Sequence, residues 1–283
     1  MSFDKLPEEL YVQICDTLPA SLVCGLTRVS RSLHAPATMV LYRNIRLTEL
    51  RSLIKVSRAL TKLNRSTGKS NGDAVRRLCV HFPRNSTKPL DIFPRHLSRT
   101  INTILIHVPN IMDLDFILDS HQGADPEQFL RPDLPINLHT FRTNIAFDAS
   151  LESFLGSPVC ANLRTLQVIP SHTRGAPRLP LTLLPHLTHL AAPDYIVALL
   201  CCARPIRTLR IGPGRIYDGM LRALVLGAAL ARDAAENLVG LDVEIVPNAR
   251  NVSTISGALP AVQKFVIRLP SLVSRPERQR ERD

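Results

Sequence analysis

A chain of 283 residues with 45% hydrophobic and 21% charged content has enough apolar material for a sizeable core, which excludes global disorder. The absence of Trp and an aromatic content of 5% make that core aliphatic, and 22 prolines against 12 glycines favour many short elements over long helices. The net charge of +11 is uneven, because residues 49–110 carry twelve Lys/Arg against three Asp/Glu while residues 111–160 carry two against eight, so a basic block adjoins an acidic one.

The first elements are short helices. Leu6-Pro7-Glu8-Glu9-Leu10 places Pro at the start of a helix, where no hydrogen bond is lost, and two Glu in the first turn, where the helix dipole favours them. Leu10, Ile14 and Leu18 follow at spacing four and share a face. Pro19 ends the helix by pushing Leu18 out of the α region. A second helix carries Leu22 and Leu26. Thr27 is placed to cap a third, with Val29 and Leu33 on one face. Pro36 is expected to interrupt it, and Leu41, Tyr42, Ile45 and Leu47 close the segment. A three-helix unit of this size is marginal alone, so its surplus apolar positions must pack on the next domain or on a partner.

Residue by residue, this segment resembles an F-box. The pattern Leu-Pro-x-Glu-Leu stands at 6–10, an Ile/Leu-rich helix follows with Ile14 and Leu18, and Leu26-Thr27-Arg28-Val29-Ser30-Arg31 matches the later Leu-x-x-Val-Ser-Arg. The ending Leu41 to Leu47 is similar to the variant found in F-box-like proteins of mushroom-forming fungi. The resemblance implies docking onto the Skp-type adaptor of a cullin–RING ubiquitin ligase, through Leu6, Pro7, Leu10, Ile14, Leu18, Leu22, Leu26 and Val29. The family often has an aromatic where Leu33 stands here.

Residues 49–63 read as an amphipathic helix on Leu50, Leu53, Ile54, Ala59, Leu60 and Leu63, and residues 64–73 as a polar loop. Beyond it recurs a unit of apolar, two polar, apolar, any, apolar. It runs from Val75, Ile101, Leu138, Leu163, Leu187, Ile206, Leu238 and Val262. Each unit reads as a short strand. Most of the intervals between their centres fit the ~20–29-residue period of leucine-rich repeats. Helical pieces are expected in the spacers at 111–119, 149–155, 195–202 and 218–231. Strand and helix in alternation must stack on their neighbours to bury an apolar face.

The expected fold is therefore α/β. A small N-terminal three-helix F-box-like domain (1–47) and a linker helix and loop (48–73) precede an irregular leucine-rich-repeat-like solenoid with a curved parallel sheet (74–270) and a charged tail (271–283). An ordinary α/β fold with a parallel sheet remains the alternative architecture.

Sites of catalysis, cofactor or metal binding are not expected. Gly68-Lys69-Ser70 lacks the earlier Gly of a phosphate-binding loop, since Leu63 occupies that position. Gly212-Pro213-Gly214 lacks the third Gly of a dinucleotide turn. His186 and His189 have no carboxylate or Cys beside them in sequence. The six cysteines form no C-x-x-C pair and have no His at zinc spacing; they fit buried apolar positions in a reducing, cytoplasmic or nuclear setting. Residues 1–10 carry no secretory h-region, and the longest apolar runs, such as 224–231, fall short of the ~20 residues of a membrane span. Function is expected to be adaptor-like, with an unidentified protein target. A repeat scaffold without a ligase link is a second reading. Nucleic-acid binding is a third, motivated by the basic block and opposed by the scarcity of Tyr and Phe within it.

Overall fold

A computed structural model describes residues 6–62, 70–82, 94–118, 130–145, 147–169, 183–193, 196–197, 200–201, 204–212, 237–244 and 262–268. The chain divides into two compact units, Met1–Leu187 and Thr188–Asp283. Both contain parallel β-structure, and the fold is mixed α/β.

The first unit opens with α1 (Glu8–Thr17), α2 (Ala20–Val29) and α3 (Arg31–Arg43). Leu18 is extended and Pro19 caps α2, so the Leu-Pro step separates the first two helices as its sterics require. Two local expectations fail in this segment. Thr27 lies inside α2, where its hydroxyl donates to the Cys24 carbonyl at 2.8 Å. The cap of α3 is Ser30, whose side chain accepts from the Ser32 N–H at 3.2 Å. Pro36 does not interrupt α3, which runs through it. The ring removes one helical donor, but its fixed φ suits a helix. Pro36 and its neighbour Ala37 are buried, so packing against the other two helices offsets the lost bond.

After α3 the chain enters β1 (Asn44–Leu47) directly, a strand that the sequence reading placed only as the close of the helical segment. Then come α4 (Leu50–Leu60), β2 (Arg77–Phe82), α5 (Pro94–Ile106), β3 (Asp113–Leu118), β4 (Thr140–Thr143), α6 (Ala149–Leu155) and β5 (Thr165–Val168). The strands lie side by side in chain order, all parallel. Parallel neighbours need a crossover, and α4, α5 and α6 supply three of them. The register aligns Ile45, Leu78, Leu114, Phe141 and Leu166 in one row, and each of these is buried.

The expected strand at Ile101–Ile106 and the expected helix at 111–119 are both reversed. Residues 101–106 end helix α5, and Asp113–Leu118 form β3. Leu97, Ile101, Ile104 and Leu105 are all buried, while Ile106 is 45% exposed. That is helical periodicity, and the six-residue unit Ile101–Ile106 satisfies it as well as it satisfies a strand. The true unit begins at Ile111, with Ile111, Leu114 and Phe116 buried and Asp113 and Asp115 on the other face. The same spacing at Tyr42, Ile45 and Leu47 makes β1 a further unit.

In the second unit, β6 (His189–Pro193), β7 (Thr208–Gly212), β8 (Gly240–Glu244) and β9 (Lys264–Arg268) are also parallel and sequential. Ile196, Val197 and Leu200 are helical and buried, within the helix expected at 195–202. The helix expected at 218–231 and the tail at 271–283 lie outside the described residues. β9 departs from its siblings, since Phe265 is 38% exposed where the equivalent Leu209 and Leu241 are buried.

A main-chain device repeats before the strands. The carbonyls of Arg76, Met112 and His139 in the first unit each accept two successive N–H groups from the next strand's approach, and Thr188, Arg207 and Val239 do the same in the second. Repetition of one turn geometry carries each strand into the same register as the last.

Candidate interaction surfaces

Two surfaces of the first unit offer more than packing. The first is the outer side of the N-terminal helices. Tyr11 and Cys15, one turn apart, turn α1 inward, and Cys15, Val23 and Ala37 form a small core against which Leu18, Leu26, Val40 and Leu41 pack. The sequence reading put Leu10, Ile14 and Leu18 on one face. The helix instead uses the adjacent stripe for its core and leaves Leu10 and Ile14 outside. Of the eight expected adaptor contacts, Leu6, Leu10, Ile14, Leu22 and Val29 are exposed apolar side chains, from 36% to 77%. Pro7 is exposed too. Leu18 and Leu26 are half-buried against the helices' own core. Completing the burial of a half-exposed aliphatic side chain recovers about 1 kcal/mol, so five such side chains offer a gross gain of about 5 kcal/mol before association costs.

The second surface is the polar face of the sheet. Alternation along each strand sends Leu78 and Val80 into the core and Arg77, Cys79 and His81 outward. In register with them stand Arg46 on β1, Asp115 on β3 and Arg142 on β4, giving the row Arg46–Cys79–Asp115–Arg142. These residues line a groove of about 620 Å³. Its floor is incompletely paired. Arg142 Nη1 meets Asp115 Oδ2 at 3.6 Å, and the Cys79 thiol contacts the same oxygen at 3.7 Å. Asp115 Oδ1 and Arg142 Nε are buried without a hydrogen-bond partner. Burial, and secondarily the Asp115 carboxylate, pushes the Cys79 thiol up, while Arg46 and Arg77 pull it down.

Arg46 and Arg77 are exposed and make no ion pair among the described residues. Asp113 is in register with Arg77 at the N-terminal end of the strands, outside the groove lining. The second unit carries a related cross-strand pair on its own polar face, Arg210 Nε to Asp242 Oδ2 at 3.8 Å.

The remaining singled-out residues do not converge. Ser70 caps a short 3-10 turn, accepting from Gly72 N–H while Asp73 accepts from Ser70 N–H. Gly68 and Lys69 lie outside the described residues. His189 Nδ1 lies 2.8 Å from the Thr188 hydroxyl, at the surface. Among the described residues no group of three or more His, Cys, Asp or Glu could hold a metal ion, and no helix is long and apolar enough to cross a membrane. Cys15, Cys160 and Cys201 are buried as expected, but Cys24 is exposed and Cys79 half-buried.

An Asn stands just before several units, at Asn110, Asn137, Asn162 and Asn237, a signal that the apolar pattern of the units does not contain. Asn162 Nδ2 donates to Asn137 Oδ1 at 3.2 Å, and Asn110 Nδ2 to the Asp73 carbonyl at 2.9 Å. Asn110 and Asn162 thus tie neighbouring turns together ahead of the strands. No family model matches the chain, and no curated protein is significantly similar to it.

Proposed function

We propose that this chain is a non-enzymatic substrate receptor. In this reading its N-terminal helices dock a Skp-type adaptor of a cullin–RING ubiquitin ligase, and the strand repeats hold a target protein. The observation that carries it is the exposure of Leu10, Ile14, Leu22 and Val29 on helices that already close a core of their own around Cys15, Val23 and Ala37. A helical module that has satisfied its own packing and still presents aliphatic side chains has surface to offer a partner. The F-box-like order of residues 6–31 supports the adaptor as that partner. Sequential parallel strands linked by a recurring turn support the leucine-rich-repeat-like reading of the body. Action is by proximity, raising the target's effective concentration at the ligase.

A second reading draws on β1. The helical segment runs straight into the strand that pairs with β2, as a terminal cap of a repeat scaffold would. One experiment separates the two. The intact chain and a Leu10→Asp/Ile14→Asp variant are tested for co-purification with a Skp-type adaptor, with circular dichroism as the folding control. Capture by the intact chain and loss in the folded variant is the expected result. No capture by the folded intact chain would leave the scaffold.

A further inference from the structure

We propose that the sheet-face groove of the first unit binds an extended acidic peptide segment of a partner protein, whose carboxylates are received by Arg46 and Arg77 at one side and by Arg142 at the other. The proposal rests on the target-binding half of the function proposed above and is independent of the adaptor half.

Charge complementarity selects the occupant. Three guanidinium groups and one carboxylate, Asp115, line the groove. Asp115 is committed to Arg142 and Cys79. Arg46 and Arg77, exposed on adjacent strands, make no ion pair among the described residues, with Asp113 in register beside Arg77 but outside the groove lining. Guanidinium forks pair with carboxylates by two parallel hydrogen bonds, which suits a Glu or Asp side chain better than a single point contact.

The spacing suits a peptide. Arg46 on β1 and Arg142 on β4 occupy the same row, three strand spacings apart, or about 14 Å. An extended segment of about four residues covers that distance. Asp115 sits between the two ends of the row and repels a carboxylate placed over the centre, so the segment has acidic residues flanking an uncharged middle.

The floor points the same way. The Arg142–Asp115 contact uses one guanidinium nitrogen and leaves Arg142 Nε and Asp115 Oδ1 without partners. Buried groups of this kind are normally paired. Arg142 keeps donors that Asp115 does not use, and its side chain is 42% exposed, so an incoming carboxylate can reach it. Nucleic acid is the poorer fit, because the groove lining contains no Trp, Tyr or Phe on which a base could stack.

The test is fluorescence anisotropy with the full chain and three probes. One is a labelled peptide of about ten residues with spaced glutamates, long enough to cross the groove. The others are its glutamine counterpart and a single-stranded RNA. The glutamate peptide is expected to bind and to weaken with salt. The glutamine peptide, and the Arg46→Glu/Arg77→Glu chain, are each expected to lose about tenfold in affinity. Should the double variant fail to fold by circular dichroism, Arg46→Gln and Arg77→Gln singly carry the test, each with a loss of about threefold. Absence of peptide binding, equal binding of the glutamine peptide, affinity unchanged in the folded variants, or preference for RNA would overturn the proposal. Adaptor capture is measured on the same preparations. Peptide binding without capture removes the ligase reading and leaves this inference standing, and capture without peptide binding does the reverse.

Discussion

Phe154, on α6, lies with its ring centroid 5.4 Å from that of Phe141 on β4, the planes inclined by 59°. Both side chains are fully buried, so one aromatic contact fastens a crossover helix to the strand beneath it. Tilted pairs of this kind add to the burial of the rings themselves. Phe154→Ala is expected to destabilise the protein by about 3–5 kcal/mol, because the emptied volume is lined by atoms that cannot fully collapse. Phe265→Ala, at a 38%-exposed position, is expected to cost about 1 kcal/mol. Urea unfolding of the two variants side by side checks the contrast.

Gly72 is required by close approach. A Cβ built there would lie 1.7 Å from the His107 carbonyl oxygen and 2.9 Å from its carbon. Both are backbone atoms at the end of α5, so neither can swing aside. Gly72→Ala is expected to lose about 2–3 kcal/mol by overpacking. At Gly156 the nearest atom is the flexible Leu183 Cδ2 at 3.2 Å, and Gly156→Ala is expected to stay within about 1 kcal/mol. Thermal melts of the two variants give the comparison.

Asp148 holds the start of α6 by accepting from both Ser150 N–H and Leu151 N–H at 3.1 Å. Asp148→Ala leaves two helix-end donors without this acceptor and is expected to cost about 1–2 kcal/mol, whereas Asp148→Asn should cost less. The folded fraction against urea concentration is the measurement.

Burial raises the thiols of Cys15, Cys79 and Cys160 above their ordinary 9.0. An unfolded chain would release these protons near 9.0, the folded chain only above it. Their contribution to stability is therefore fully present below 9.0 and is lost as pH rises through the folded values. Unfolding midpoints measured from neutral to strongly alkaline pH should fall above 9.0, and Cys160→Ala should flatten that fall.

Asp115 raises the Cys79 thiol by its charge and its hydrogen bond, against Arg46 and Arg77, which lower it. In Asp115→Asn the negative charge is gone and the arginines act alone. Cys79 is then expected to alkylate faster at neutral pH, as thiolate is the reactive species. Mass-spectrometric rates at Cys79, with exposed Cys24 as the internal reference, would show it. An unchanged rate would mean that access, not charge, limits the reaction.

Much of the strand set was legible in the residues. The unit of apolar, two polar, apolar, any, apolar correctly located β2 and β4 to β9, because period-2 burial on one face is a local property. It failed at Ile101–Ile106, where the same six letters also satisfy a helix, and only the burial of Leu97, Ile101, Ile104 and Leu105 together separates the two. It also passed over Tyr42–Leu47, whose first members end a helix. The candidate contacts Leu10 and Ile14 were legible as apolar, but the stripe of Tyr11 and Cys15 was not recognised as the inward one, since two adjacent stripes of α1 are both partly apolar.

The sequence by itself determined the α/β class, the aliphatic core and the break at Pro19, all of which follow from composition, periodicity and backbone sterics within a few residues. Only the tertiary structure decided which residues meet across strands. Arg46, Cys79, Asp115 and Arg142 are 33, 36 and 27 positions apart, and no local pattern links them. They form one row because each strand is laid beside the last in fixed register by the turn that precedes it, and that register is a property of the stacked chain.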